Sequence, residues 1–275
     1  MRITVCELPH EAEALAEAWA ALCEHTVANE SELVLLPELA MAEPIWELER
    51  FDAARWTNVE AVNGDHLGRL PELRTEYAVG TRPARLNGSR LNQGYLWSAA
   101  GGMRPLRNKY FLPEEPGSWE ATWFQRGDPT FPVFHAGAAS FGLNICTELW
   151  ALETYAAYAA LGVELVLSPR ATALETTEMW LAAGVVAAVR SGAFCLSSNR
   201  VDPTGRCGGG GWIIDPAGDV LALTSAAEPF ATREVELTRA ATAKRSYPRY
   251  VLARGDRGEP SERAVPTPQS SFGAG

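Results

Sequence analysis

Lysine is almost missing from this chain. Of 24 basic residues only Lys109 and Lys244 are lysines, and the rest are arginines. A GC-rich coding bias would produce such a skew. Yet Lys109 stays lysine beside Arg104 and Arg107, and an amine offers a compact charge and a removable proton that a guanidinium does not. Histidine is scarce as well. His10, His25, His66 and His135 lie far apart and form neither HxH nor HExxH, so no local metal motif is present. The five cysteines are odd in number, irregularly spaced and without a CxxC pair, which argues against both a zinc site and a disulfide framework. No metal and no cofactor are expected.

Other absences narrow the class further. The net charge of −10 leaves no basic face for nucleic acid or an anionic membrane surface. No apolar run approaches the ~18 residues of a membrane span. The stretch Met1-Arg2-Ile3-Thr4-Val5-Cys6 lacks the apolar core and cleavage site of a signal peptide, so a cytoplasmic location is expected.

What is present supports a large core: 275 residues, 47% of them hydrophobic, with nine tryptophans. Arg2–Leu8 reads as a strand, Glu11–Glu24 as an amphipathic helix, and Glu32–Leu36 as a strand buried on both faces that stops at Pro37-Glu38. Residues 43–61 read as partly helical, and Asp65–Glu76 as a helix broken near Pro71. Tyr77–Arg82 and Leu91–Ala99 read as strands, and 110–132 as a long ordered loop. Val163–Leu167 and Ala193–Ser198 read as strands flanking a helix over Leu174–Arg190. Interleaved strands and helices imply one layered α/β domain over 1–256, with a tail at 257–275 that reads as extended or disordered.

Cys146 stands out by position. It ends the apolar run Phe141-Gly142-Leu143-Asn144-Ile145 and opens a helical stretch, Thr147–Tyr155. A residue on a strand-to-helix turn projects from the carboxyl edge of a sheet, where ligands of α/β folds bind. The amides that follow are expected to favour a thiolate and then an oxyanion. Two other segments place an ionisable residue after a strand: Leu35-Leu36-Pro37-Glu38 and Leu106-Arg107-Asn108-Lys109-Tyr110.

Taken in the order Glu, Lys, Cys, these segments resemble the carbon–nitrogen hydrolases of the nitrilase superfamily. Val34–Glu38, Arg107–Leu112 and Gly142–Glu148 carry the likeness, with Glu153 where a further family acid usually lies. Ser118–Gly127 resembles the loop that bears a second active-site glutamate, which is Glu120 here. Ser168-Pro169, Ser198-Asn199-Arg200 and Trp212–Gly218 extend the match, while Ala187–Ser191 and Gly211 depart from it.

The resemblance implies a four-layer α-β-β-α sandwich and hydrolysis of a non-peptide C–N bond, in an amide or N-carbamoyl compound. The implied roles are Cys146 as nucleophile, Glu38 as general base, Lys109 as oxyanion stabiliser and Glu120 as its partner. Thr147, Glu148, Arg170 and Trp123 complete the expected oxyanion and substrate-binding set. Arg170 either clamps a substrate carboxylate or pairs with Glu148 in the scaffold, and Trp46, Trp123 and Trp150 are candidate pocket walls. The helix near 150–161 is the implied face of a homodimer or higher homo-oligomer. The partner is a small molecule. Alternatives are a nitrilase, a noncatalytic or redox-sensing thiol protein, and a Cys–His hydrolase using His135.

Overall fold

In the computed structural model, residues 1–255 are described; the tail expected at 257–275 lies outside them. The first strand, β1 (Arg2–Leu8), organises the chain because its two halves pair differently. Thr4 and Val5 pair in parallel with β2 (Leu33–Leu35), whereas Glu7 and Leu8 pair with a strand near residue 200. One strand thus joins two sheets.

On the first sheet, helix α1 (Ala12–Ala28) precedes β2, and helix α2 (Ala53–Leu67) precedes the hairpin of β3 (Tyr77–Leu86) and β4 (Ser89–Ser98), followed by β5 (Gly102–Asn108). A single helical turn, α3 (Glu120–Trp123), interrupts the long loop. The second sheet holds β6 (Phe134–Ala136), β7 (Ala139–Leu143), β8 (Leu165–Arg170), β9 (Phe194–Arg200), β10 (Trp212–Ile214) and β11 (Val220–Leu223). Helix α4 (Glu153–Ala160) lies between β7 and β8, and α5 (Thr177–Ser191) between β8 and β9. β12 (Phe230–Glu234) returns antiparallel to β1, and α6 (Thr238–Lys244) and α7 (Arg249–Gly255) close the described chain.

Period-two alternation sorts the side chains into layers. Leu33 and Leu35 face inward and join Phe141, Leu143 and Leu167 in the core between the sheets. Val34 and Leu36 face outward onto Leu15, Trp19 and Leu22 of α1. Those three are spaced to share one helical stripe. On the far side, Trp180, Ala183 and Ala187 of α5 bury against the second sheet. The result is the expected helix–sheet–sheet–helix stack.

Two elements differ from the sequence reading. α2 starts at Ala53 because the Asp52 carboxylate accepts the amides of Ala54 and Arg55 as an N-cap, and it ends near Gly68. The helix expected over Asp65–Glu76 is therefore only a short 3₁₀ turn at Leu70–Leu73. After Cys146 the chain likewise makes a 3₁₀ turn, Cys146–Trp150, and α4 begins only at Glu153.

The two sheets approach closely where Gly94 faces Leu143. A Cβ added at Gly94 of β4 would lie 2.4 Å from Leu143 Cδ2 of β7. Gly94→Ala should therefore lower stability by about 1–3 kcal/mol through overpacking, a fall in melting midpoint of roughly 2–4 °C per kcal/mol for a chain this size. Thermal denaturation checks this, and an unchanged midpoint would mean that the sheets have slack at this point.

Candidate active site

Four strand ends converge at one edge of the stack. β2 runs into Leu36-Pro37-Glu38, and proline, having no N–H, ends the ladder there. The Glu38 amide instead donates to the Arg170 carbonyl at the end of β8 (3.1 Å), and the Leu39 amide to Thr81 Oγ1 (2.8 Å). Leu39 adopts a left-handed φ of 47°. Its carbonyl and that of Ala42 accept from Arg200 Nη1 at 2.7 and 2.8 Å. The turn that presents Glu38 is thus held from three strands.

Lys109 follows β5 and is fully buried. Its ammonium donates to Glu38 Oε1 and to both oxygens of Glu120, each at 2.8 Å. Glu120 opens α3, whose last carbonyls accept from Arg90: Nε to Trp123 O at 2.8 Å and Nη2 to Thr122 O at 3.3 Å. Asn92 of β4 adds a further donor, Nδ2 to Glu38 Oε1 at 2.8 Å.

Cys146 caps the other side. It has a φ of 49°, a left-handed conformation that a residue with a Cβ adopts at a cost of about 1–3 kcal/mol. Glu148, with no exposure, holds this strained turn: its carboxylate accepts the amides of Ile145 (2.9 Å) and Tyr110 (2.7 Å) and pairs through both oxygens with Arg107. One buried acid therefore ties the cysteine segment to the lysine segment.

Burial drives the titration of the cluster. It pushes the Cys146 thiol above the ordinary range; Glu38 adds to this, while Lys109 and a hydrogen bond from the Ala171 amide oppose it. The thiol rests protonated, contrary to the expected thiolate: a dry site with two nearby acids outweighs the few amides of a short turn. Burial alone would depress the Lys109 ammonium, but Glu120 and Glu38 reverse that and hold it above its usual range. Glu120 is pushed up to about 7, by burial first, with Lys109 opposing and Glu38 reinforcing.

The expected residues therefore separate into groups. Glu38, Lys109 and Glu120 form one hydrogen-bonded cluster, electrostatically linked to Cys146. Thr147 follows the nucleophile, half-buried. Glu148 serves the scaffold, and its partner is Arg107 rather than Arg170. Arg170 is fully buried and donates from Nε to Ser197 Oγ, from Nη1 to Thr172 Oγ1 and from Nη2 to Gly210 O, and its guanidinium lies 4.0 Å from the Trp212 ring centroid. Trp123 packs its fully buried ring in a third apolar cluster, and its indole N–H donates to Leu48 O (2.7 Å). Trp46, nearly buried, lies in the same cluster, which also touches Ala171. Trp150 is 40% exposed beside Trp180, and Glu153 and His135 are exposed. Among the described residues no group of three or more His, Cys, Asp or Glu side chains could hold a metal ion.

Sequence reading missed Asn92, and it placed Arg107 and Arg200 inside motifs without giving either a role. Asn92 left a usable signal, a polar residue in the inward register of a strand whose later inward positions are Gly94 and Leu96.

The carbon-nitrogen hydrolase family model matches residues 2–245. A β-ureidopropionase of Arabidopsis thaliana is 28% identical over 155 residues, 54% of this chain and 38% of that protein. An N-carbamoylputrescine amidase of Oryza sativa subsp. japonica is 26% identical over 156 residues, 50% of this chain and 52% of that protein. The matched segments thus span about half or less of these relatives' length. Among solved structures, a carbon-nitrogen hydrolase from Helicobacter pylori G27 superposes with a TM-score of 0.81 at 20% identity, over 93% of this chain and 96% of that one. An amidase from Nesterenkonia sp. AN1, with acrylamide added at its active-site cysteine, gives 0.71 at 20% identity over 93% and 99%. At such identity these two speak for the fold.

Glu120 provides a stability test with a definite sign. Its pKa rises from 4.5 to about 7 on folding, so between those values the folded chain keeps a proton that the unfolded chain has released. Stability then falls as pH rises through that window, by up to about 1.4 kcal/mol per pH unit, and levels off above it. Urea titrations from pH 4.5 to 8 should show this loss in the wild type relative to Glu120→Gln, which cannot titrate. Parallel curves for the two proteins would refute it.

Proposed function

This chain belongs to the carbon-nitrogen hydrolase family, and from that premise we propose that it hydrolyses a small amide or N-carbamoyl compound through an acyl thioester on Cys146. The observation that carries the reading is the buried Lys109 ammonium, 2.8 Å from both Glu38 and Glu120, at the strand edge where the Cys146 turn lies.

Because the thiol rests protonated, its attack on the carbonyl carbon needs a base in the same step. Glu38 takes that proton. The Lys109 ammonium has three hydrogens; one shared between the two Glu120 oxygens and one given to Glu38 leave a third for the tetrahedral oxyanion. The Thr147 amide is the second oxyanion donor. Glu38 then protonates the nitrogen, the C–N bond breaks, and ammonia or an amine leaves the acyl thioester. Water next attacks the thioester while Glu38 accepts its proton. The second tetrahedral intermediate expels the sulfur, which recovers the proton from Glu38. Glu120 holds the ammonium between the two acids and keeps it charged.

The relatives' names support an N-carbamoyl or simple amide substrate over a nitrile. Trp150, Leu152, Leu161, Met179 and Val186 are exposed apolar residues on or beside α4 and α5, which supports the reading of a homodimer or higher homo-oligomer through this face. Five unbridged cysteines support a reducing, cytoplasmic setting, and no helix among the described residues is long and apolar enough to cross a membrane.

A screen for ammonia release across simple amides, N-carbamoyl amino acids, N-carbamoyl amines and nitriles tests the reading. One amide or carbamoyl class should be turned over. Cys146→Ala should abolish release with an intact fold, and Lys109→Ala should lose at least about 10²–10³-fold in kcat, the usual effect of one oxyanion donor. Lys109→Arg should fail too, because the planar fork places its charge differently. Substantial turnover by Cys146→Ala would sink the mechanism, and turnover of nitriles alone would reassign the substrate.

A further inference from the structure

The two carboxylate oxygens of Glu38 are treated unequally. Oε1 accepts from Lys109 Nζ and from Asn92 Nδ2, both at 2.8 Å. Oε2 has no hydrogen-bond partner among the described residues. Asn92, 1% exposed on β4, reaches both members of the pair, because its backbone carbonyl also accepts the Lys109 amide at 2.8 Å. Its side-chain orientation is dictated by charge, since Oδ1 turned toward Glu38 would meet a carboxylate. The price of that orientation is visible: Oδ1 is buried with no donor. Buried polar atoms are usually satisfied, so a bare acceptor here marks a side chain kept for its donor end rather than for packing.

We propose that Asn92 is a positioning residue for the general base. Together with Lys109 it pins Oε1, so that Oε2 alone carries the proton from Cys146 and delivers it to the leaving nitrogen. This rests on the reading of Glu38 as that base. Two physical effects follow from the Asn92 bond. It stops the carboxylate from rotating about its Cγ–Cδ bond and exchanging its oxygens under the ammonium. A donor held against a carboxylate also favours its charged form over its protonated one.

Alkylation of Cys146 by iodoacetamide tests the proposal without needing the natural substrate. The sulfur forms a bond to the methylene carbon, iodide leaves, and the thiol proton passes to Glu38. The rate would be followed against pH in the full chain, with Cys146→Ala giving the background and Glu38→Gln marking the base. Asn92→Leu should slow alkylation about ten-fold near neutral pH and move its acidic limb up by about one pH unit. Asn92→Asp keeps the shape, loses the donor and adds a like charge, so it should be slower still, with a larger upward shift. A packing role predicts the reverse order, with the isosteric Asp mild and Leu severe. That order, or an acidic limb unmoved in both variants while Glu38→Gln remains slow, would overturn the role of Asn92. A Glu38→Gln variant alkylated as fast as wild type would instead overturn the base itself. Should Asn92→Leu fail to fold by circular dichroism, the limb of Asn92→Asp against wild type decides alone.

Discussion

A single ammonium, that of Lys109, is the constraint around which the site is built. An unpaired charge with no solvent exposure is prohibitively costly, so Lys109 needs acids, and acids in a dry pocket need the lysine. Glu38 comes from the first sheet and Glu120 from the long loop, and each meets the ammonium at 2.8 Å. Glu38, 71 residues from Lys109, and Glu120, 11 residues from it, are thereby locked into one geometry. The raised pKa of Glu120 follows first from its burial, with the neighbouring Glu38 adding to it and Lys109 opposing it.

The nucleophile depends on a second buried pair. Glu148 binds the backbone on both sides of the gap between the cysteine and lysine segments while Arg107 neutralises it. That clamp, with the Asn144 side chain donating to the Glu148 carbonyl, holds the turn in which Cys146 keeps its left-handed φ. The close approach of the sheets at Gly94 and Leu143 sets the base on which the turn rests. Strain, sheet spacing and charge pairing thus act on the same few residues.

Much of this was legible beforehand. The buried run before Glu38, the apolar run before Cys146 and the retained Lys109 marked three strand ends, and the order of the motifs carried the family and the layered fold. Partnerships were harder to read. Arg170 and Arg107 are both arginines near the motifs, and only the packing decides that Arg107 meets Glu148 while Arg170 lies over Trp212. Trp123 sits beside Glu120 in sequence, but one turn of α3 points its indole away to Leu48. The thiolate expectation failed because burial is a tertiary property, invisible in a local helix-terminus argument. Asn92 was missed because a lone asparagine in a strand carries no motif, although its inward register was there to be counted.

Partitioning with hydroxylamine is the sharpest test of a covalent acyl intermediate on Cys146. A series of substrates sharing one acyl or carbamoyl group but differing in the leaving amine would be turned over at a fixed hydroxylamine concentration. A common thioester predicts one ratio of hydroxamate (or hydroxyurea) to hydrolysis product across the whole series, because the leaving group has already departed. A ratio that changes with the leaving amine, or no trapped product at all, would contradict it.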